Sequence, residues 1–93
     1  MNIKAKKYFV YILRTSGNTL YTGQTDDLEK RLLKHKNGTG AKYLRKFNTF
    51  KMVYFEEAKT RSEAMKREAE IKRMTKKVKE KLVLGGSRGS DCS

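Results

Sequence analysis

The chain has 93 residues, the size of one domain, and its 23 Lys+Arg against 10 Asp+Glu give a formal net charge of +13. This surplus favours an anionic partner, nucleic acid before an anionic membrane surface, and no stretch approaches the roughly 18 apolar residues of a spanning helix. Cys92 is the only cysteine, which excludes an internal disulfide and a cysteine-based zinc site, so we expect a cytoplasmic location. His35 is the only histidine, which excludes a histidine-rich metal site. Any metal is therefore expected to have oxygen ligands, which favours magnesium or manganese.

Two β-type segments come first. Tyr8–Leu13 is apolar, β-branched and aromatic, which predicts a strand covered on both faces. Residues 15–18 are rich in turn formers, and residues 19–23 return to β-type composition. The two segments are therefore predicted to form a hairpin.

A helix and a basic loop are predicted next. Asp26 with Glu29 three residues later predicts a capping box that opens a helix over about 27–37. Gly38 is predicted to end this helix, because glycine tolerates the left-handed backbone at a helix C-terminus. Residues 42–46 are strongly basic and are predicted to be irregular or one helical turn.

The third predicted strand lies over 50–55. Strict alternation places Phe50, Met52 and Tyr54 on one face of the sheet. The other face then receives Val53 and Phe55.

Two more helices follow. Thr60 with Glu63 is a second capping box, for a helix to about Met74. Thr75 is predicted to cap a last, basic helix through Val83.

These elements predict one α+β domain in the order β-β-α-β-α-α, with a short antiparallel sheet. The domain is expected to span residues 1–84. Residues 85–93 contain little apolar surface, and we expect them to form a flexible C-terminal tail.

Glu68 is the first candidate functional residue. A helical wheel places its carboxylate among the apolar positions Ala64, Met65, Ala69 and Ile71. A carboxylate in such a place needs a cationic partner, a bound cation or a raised pKa. The structural alternatives are an ion pair with Lys72 or Arg31, or an acid on the exposed rim of the stripe.

A second group of candidates lies on the first helix and the hairpin. Arg31 and His35 are four residues apart and share one helix face, where a guanidinium can grip a phosphate and a neutral imidazole can accept a proton. The alternative is a solvated basic face. Tyr11 and Tyr21 lie on adjacent strands, where their hydroxyls can position water or can simply be core groups.

A third set of residues suits contact with a nucleic-acid backbone. Cations alternate with aromatic rings in the basic loop, a composition typical of phosphate contact and base stacking. The nucleic-acid-binding candidates are Lys42, Tyr43, Arg45, Lys46 and, on the later helix, Lys72.

These features occur in an order that resembles the GIY-YIG nuclease family, most closely its small single-domain YhbQ-like branch. A strand tyrosine in Phe9-Val10-Tyr11 is followed ten residues later by Tyr21-Thr22-Gly23. Arg31 and His35 then lie on a helix, and Glu68 lies on a later one. The resemblance extends over about residues 8–84.

The resemblance implies a three-stranded antiparallel sheet flanked by helices and an enzyme that hydrolyses DNA phosphodiester bonds. It implies that Tyr11 and Tyr21 position or deprotonate the attacking water and that His35 assists the base. It also implies that Arg31 steadies the scissile phosphate and that Glu68 holds a single divalent cation.

The chain departs from the family pattern at two strand positions. Phe9-Val10 replaces Gly-Ile in the first motif and Thr22 replaces isoleucine in the second, changes that concern packing. No clear counterpart exists for an asparagine that some members carry after the acid.

The leading interpretation is a metal-dependent endonuclease in DNA repair or recombination, acting on branched, nicked or single-stranded-containing DNA. We expect it to be nucleoid-associated if the source is prokaryotic, and targeting by a protein partner is an open alternative. The competing interpretations are a non-catalytic nucleic-acid-binding module and an accessory subunit on the same scaffold. The oligomeric state is left open.

Overall fold

A computed structural model describes residues 7–38 and 49–86. The elements are β1 (Tyr8–Thr15), β2 (Leu20–Thr25), α1 (Leu28–Lys36), β3 (Phe50–Ala58), α2 (Arg61–Lys72) and α3 (Lys76–Leu84). The three strands form one antiparallel sheet in the order β2-β1-β3. The α+β fold and its element order are therefore confirmed. Most of the predicted tail, residues 87–93, lies outside the described residues.

Each face of the sheet carries its own apolar cluster. On one face, Val10 and Ile12 of β1 pack with Ala64 and Ile71 of α2, and side chains of α3 complete this cluster. On the other face, Tyr11 and Leu13 form a cluster that the apolar side chains of α1 cover. Successive residues of β1 thus point to opposite faces, and both faces are buried, as the continuous apolar run predicted.

A β-bulge in β3 overturns one prediction about side-chain direction. Ile12 pairs with Tyr54, but the next residue of β1, Leu13, pairs with Met52, so Val53 is an extra residue. Tyr54 consequently lies with the α2 cluster, and only Phe50 and Met52 of the predicted face lie with the α1 cluster. Phe55 joins them there.

Hydrogen-bonding side chains open all three helices. Asp27, not the predicted Asp26, caps α1, because its side chain accepts from the Lys30 amide at 3.0 Å. Thr25 fixes this cap by accepting the Asp27 amide at 3.1 Å. The predicted caps of α2 and α3 are confirmed: Thr60 and Thr75 accept the amides of the third residues that follow them.

Two ion pairs tie the helices to the sheet. Arg14 of β1 donates two hydrogen bonds to Glu80 of α3, at 2.8 and 2.7 Å. On β3, Glu56 accepts from Arg67 of α2 and from the Tyr54 hydroxyl. In the described ranges, no helix is long and apolar enough to cross a membrane.

Candidate active site

The two motif tyrosines lie on the same face of the sheet but not directly opposite each other. In the ladder between β1 and β2, Tyr11 pairs with Gly23, and Tyr21 pairs with Leu13. The tyrosines are therefore diagonal neighbours on the face that α1 covers. Gly23 leaves room for the Tyr11 hydroxyl, because a Cβ at Gly23 would lie only 2.5 Å from the hydroxyl oxygen.

A hydrogen bond joins Tyr11 to the only histidine of the chain. The Tyr11 hydroxyl and His35 Nε2 are 2.9 Å apart, and both residues are buried, at 1% and 4% exposure. Tyr21 contacts the His35 ring edge-on, with the ring centroids 5.7 Å apart. Tyr11, Tyr21 and His35, which are distant in sequence, thus form one contiguous aromatic cluster.

The protonation of this cluster follows from its burial and from nearby charges. Burial raises the pKa of the Tyr11 phenol well above its ordinary value; Tyr21 and Glu68 add to this increase, whereas Arg31 opposes it. Burial lowers the pKa of His35, and the positive charge of Arg31 lowers it further. At neutral pH the cluster therefore contains a protonated phenol and a neutral imidazole, and the phenol can donate to the imidazole.

The charges of Arg31 and Glu68 both act on Tyr11, which brings four of the sequence-predicted residues into one electrostatic neighbourhood. Arg31 is half-buried on α1, one turn before His35. Glu68 is half-buried on α2. The helix-sheet-helix arrangement thus gathers residues that are separated by as many as 57 positions in the sequence.

Glu68 lies at the edge of the apolar stripe of α2, not at its centre. Ala64 and Ile71 are buried, but Met65 is 53% exposed and Ala69 is also exposed, so the stripe is narrower than predicted. Glu68 pairs with Lys72 at 3.1 Å, one helical turn away. This is the ion pair of the structural alternative. Because the Lys72 side chain is 54% exposed, such a pair is worth only a fraction of 1 kcal/mol and a stronger cation can displace it.

The donor set fits a magnesium-type ion only if water and substrate complete it. Among the described residues, no group of three or more His, Cys, Asp or Glu side chains is placed to hold a metal. The negative charge of the Glu68 carboxylate acts on Tyr11 of the tyrosine cluster. Magnesium retains several waters and is commonly held by one or two carboxylates together with substrate phosphate oxygens, so a single acid is compatible with it.

A small cavity beside Arg31 reveals a residue that the sequence analysis did not single out. Its volume is about 90 Å³, and it lies where the end of β2 meets both helices. Arg61, the first residue of α2, shares its lining with Arg31. Neither residue number nor helical periodicity brings Arg61 near Arg31; only the packing of α2 against the sheet does.

The predicted nucleic-acid-binding residues have different outcomes. Lys72 lies on the exposed side of α2 and is paired with Glu68. Arg67, another cation of the basic C-terminal region, is committed to Glu56 and Glu70. The loop candidates Lys42, Tyr43, Arg45 and Lys46 lie outside the residues that the structure describes.

Known proteins are similar to this chain over most of their length. Residues 7–81 match the family described as the GIY-YIG catalytic domain. The chain is 45% identical over 80 residues to the UPF0213 protein SSP2268 of Staphylococcus saprophyticus, a match that covers 86% of this chain and 98% of that protein. It is 41% identical over 80 residues to the UPF0213 protein YhbQ of Escherichia coli, covering 86% of this chain and 80% of that protein.

A solved structure agrees with this assignment. The solution NMR structure of EF2693 from E. faecalis has a TM-score of 0.62 and 39% sequence identity, and the match covers 91% of this chain and 90% of that one. The predicted resemblance is therefore confirmed. The chain belongs to the GIY-YIG nuclease family, among its small UPF0213, YhbQ-like members.

Proposed function

We propose that this protein is a metal-dependent endonuclease that hydrolyses phosphodiester bonds of DNA. The observation that carries the proposal is the Tyr11–His35 hydrogen bond of 2.9 Å in a neighbourhood where the charges of Arg31 and Glu68 both act on Tyr11. A module that only binds nucleic acid needs cations and has no use for an acid in this neighbourhood. Hydrolysis needs a proton acceptor, a phosphate ligand and a cation ligand together.

His35 is the proton acceptor in this proposal. Its lowered pKa keeps the imidazole neutral at neutral pH, so it can accept a proton as the attacking water is deprotonated. Because Nε2 accepts the hydrogen bond of the Tyr11 hydroxyl, the proton reaches His35 through Tyr11: the phenol passes its proton to Nε2 as its oxygen takes one from the water. Tyr21 is the more exposed of the two phenols and contacts the edge of the same ring, so we assign it the contact with the attacking water.

Arg31 is the phosphate ligand. Its guanidinium forms no ion pair with the described residues, so its donors are available for two oxygens of one phosphate. Charge accumulates on those oxygens as the water attacks. A fixed guanidinium therefore stabilises the transition state more than the bound substrate.

Glu68 is the ligand for the divalent cation, Mg²⁺ or Mn²⁺. When bound, such an ion supplies Lewis-acid stabilisation of the leaving oxygen. Glu68 contributes its negative charge and its half-buried position, which limits competition from bulk water. Displacement of Lys72 frees the carboxylate for this task at small energetic cost.

The proposal extends to substrates with branches, nicks or single-stranded segments, in DNA repair or recombination. A cytoplasmic, nucleoid-associated location and a protein partner that directs the enzyme to its target belong to the same proposal. The net charge of +13 supports binding to DNA of many sequences, because contacts to phosphates carry no sequence information.

The deciding experiment is a cleavage assay on labelled linear, nicked, flapped and four-way DNA with Mg²⁺ or Mn²⁺. Arg31→Ala and Glu68→Ala should each abolish metal-dependent cleavage, and Glu68→Ala should bind DNA at least as tightly as the wild type. The matched controls are Lys36→Ala for Arg31→Ala and Glu70→Ala for Glu68→Ala. Each control removes a charge of the same sign from an exposed position on the same helix as the residue that it matches. Circular dichroism must show that all four variants are folded.

The second candidate function is a non-catalytic nucleic-acid-binding module. The Glu68–Lys72 ion pair favours it, because that pair gives Glu68 a structural role that needs no metal ion. This candidate predicts tight DNA binding without cleavage on every substrate. It also predicts that Glu68→Ala lowers the melting temperature slightly and changes nothing else.

A further inference from the structure

We propose that Arg61 is a substrate-positioning residue that binds a backbone phosphate next to the scissile one, which Arg31 holds. The inference rests on the proposed function, which it extends from the reacting phosphate to the path of the bound strand. It starts from the cavity of about 90 Å³, here called the arginine notch, which is lined by Tyr8, Gln24, Thr25, Asp26, Arg31 and Arg61.

The chemistry of the arginine notch suits a phosphate monoanion. Two guanidinium groups and one carboxylate, that of Asp26, leave a net charge of +1 in the lining. Gln24 adds an amide and Tyr8 a phenol as neutral donors. A cavity of this small volume suits a single phosphate group.

Among the described residues, both arginines of the notch lack an ion pair, whereas Arg14 and Arg67 have one. Arg14 is bound by Glu80, and Arg67 by Glu56 and Glu70. Within residues 7–38 and 49–86, neither Arg31 nor Arg61 forms an ion pair. Two cations that face one small cavity without a carboxylate bound to either repel each other, and an anion between them relieves that repulsion.

The position of Arg31 links the arginine notch to the chemistry. Its charge lowers the pKa of His35 and acts on Tyr11, and its side chain also lines the notch. Arg31 therefore belongs both to the surroundings of the tyrosine cluster and to the arginine notch. A strand whose scissile phosphate is held by Arg31 can thus bring a neighbouring phosphate to Arg61.

A second cavity extends the same path along α1. It has a volume of about 100 Å³ and shares Thr25, Asp26 and Arg31 with the arginine notch. Lys30 and Lys34 provide its further cations. The carboxylate of Asp27 also lines this second cavity. The two cavities thus share part of their lining near the end of β2 and bring four cations to it, an arrangement that suits successive phosphates of a backbone.

Metal-free binding measurements test the role of Arg61 separately from cleavage. Arg61→Ala should weaken binding of a short DNA duplex about tenfold at low salt and reduce the salt dependence of log K by about one. Arg73→Ala is the matched control, because it removes an exposed arginine at the C-cap, the opposite end of the helix that Arg61 begins. It should change the affinity by less than about twofold, and Arg61→Lys should retain part of the affinity.

Methylphosphonate substitution locates the phosphate. When each phosphate near the scissile bond is replaced singly by a neutral methylphosphonate, the wild type should lose affinity at one flanking position. Arg61→Ala should be insensitive at that position and sensitive elsewhere. In cleavage, Arg61→Ala should raise KM with kcat nearly unchanged, because a flanking contact is equally strong before and during reaction.

The outcomes separate the two proposals. If the wild type cleaves DNA but Arg61→Ala matches Arg73→Ala in affinity and in the methylphosphonate scan, the role of Arg61 is wrong and the nuclease stands. If the wild type binds without cleaving and only Arg61→Ala loses the flanking-phosphate effect, Arg61 stands and the nuclease does not. Equal loss at all phosphate positions would overturn the specific pairing of Arg61 with one phosphate.

Discussion

The Tyr11 hydroxyl occupies the space that any side chain at Gly23 would need. The two residues are direct partners across β1 and β2, and a Cβ on Gly23 would lie 2.5 Å from the Tyr11 hydroxyl oxygen and 2.7 Å from its Cζ. The glycine of the second motif is therefore explained by the tyrosine of the first. The requirement is for space, since the backbone at Gly23 is that of an ordinary strand.

Gly23→Ala should consequently displace Tyr11 from His35. We expect the free energy of unfolding to fall by about 1–3 kcal/mol, as for other overpacked cores, and cleavage to be lost with it. Urea unfolding and the cleavage assay measure the two effects. Gly85→Ala is the control, because a Cβ there meets its nearest atom at 3.4 Å. If Gly23→Ala were as stable and active as Gly85→Ala, Tyr11 would have no fixed position.

The imidazole of His35 should titrate below the ordinary histidine pKa of about 6.5. Because His35 is the only histidine in the chain, its NMR ring signals are unambiguous. Tyr11→Phe removes the hydroxyl that contacts Nε2 and should alter the titration midpoint. A wild-type midpoint above 6.5 would contradict this direction, and one above 7 would mean that the ring is mostly charged at neutral pH and cannot serve as the proton acceptor.

The same lowered pKa sets the direction of two pH dependences. In the folded protein His35 resists protonation, so the unfolded chain binds the extra proton first as the pH falls below about 6.5. Stability should therefore decrease from that pH down to the folded-state pKa and should not gain from further acidification at this site. The cleavage rate should fall about tenfold per pH unit below the folded-state pKa. In His35→Gln, the decrease in stability between pH 6.5 and the folded-state pKa of His35 should be absent.

Glu80 should stabilise the fold at pH values above the ordinary pKa of a carboxylate. Its hydrogen bonds with Arg14 lower its pKa to about 2, so its contribution is fully present above about 4.5 and is lost as the pH falls from there towards 2. Thermal unfolding of Glu80→Gln should therefore differ from that of the wild type at pH 6, and the difference should shrink through this window. A constant difference down to pH 2 would show that the variant acts through packing.

Thr22→Val should stabilise the protein. The Thr22 hydroxyl is buried and has no hydrogen-bond partner among the described residues, and the family pattern has isoleucine at this position. Removing it should add about 1 kcal/mol to the free energy of unfolding, or roughly 4–8 °C to Tm. Thr25→Val provides the contrast, because the Thr25 hydroxyl accepts the Asp27 amide and its loss should destabilise α1.

The order of the elements and two of the three helix caps followed from local sequence. Such features depend on residues within a few positions of one another, and Thr60 with Glu63 is an example. The bulge at Val53 did not follow, because alternation within β3 contains no sign of how β1 pairs with it. The choice of Asp27 over Asp26 depended on the Thr25 side chain, which sequence spacing alone does not weigh.

At the candidate site, the sequence suggested which residues to consider but not how they contact one another. The family motif identified Tyr11, His35 and Arg31, whereas the hydrogen bond between the first two needs the three-dimensional distance. The basic composition of the C-terminal region gave no means of distinguishing Arg61 from Arg67. One lines the arginine notch and the other is bound by Glu56, and this difference arises only when α2 is placed on the sheet.

The strand order also places the two tyrosines on strands that are expected to open at different rates. Tyr11 lies on β1, which is hydrogen-bonded on both sides, whereas Tyr21 lies on β2, an edge strand bonded on one side only. We therefore expect amide hydrogens in the middle of β1 to exchange with solvent through unfolding of the whole domain, and those of β2 through smaller openings. On this expectation, the phenol that contacts His35 lies on the strand that opens least often, and the phenol assigned to the water lies on a strand that opens more often.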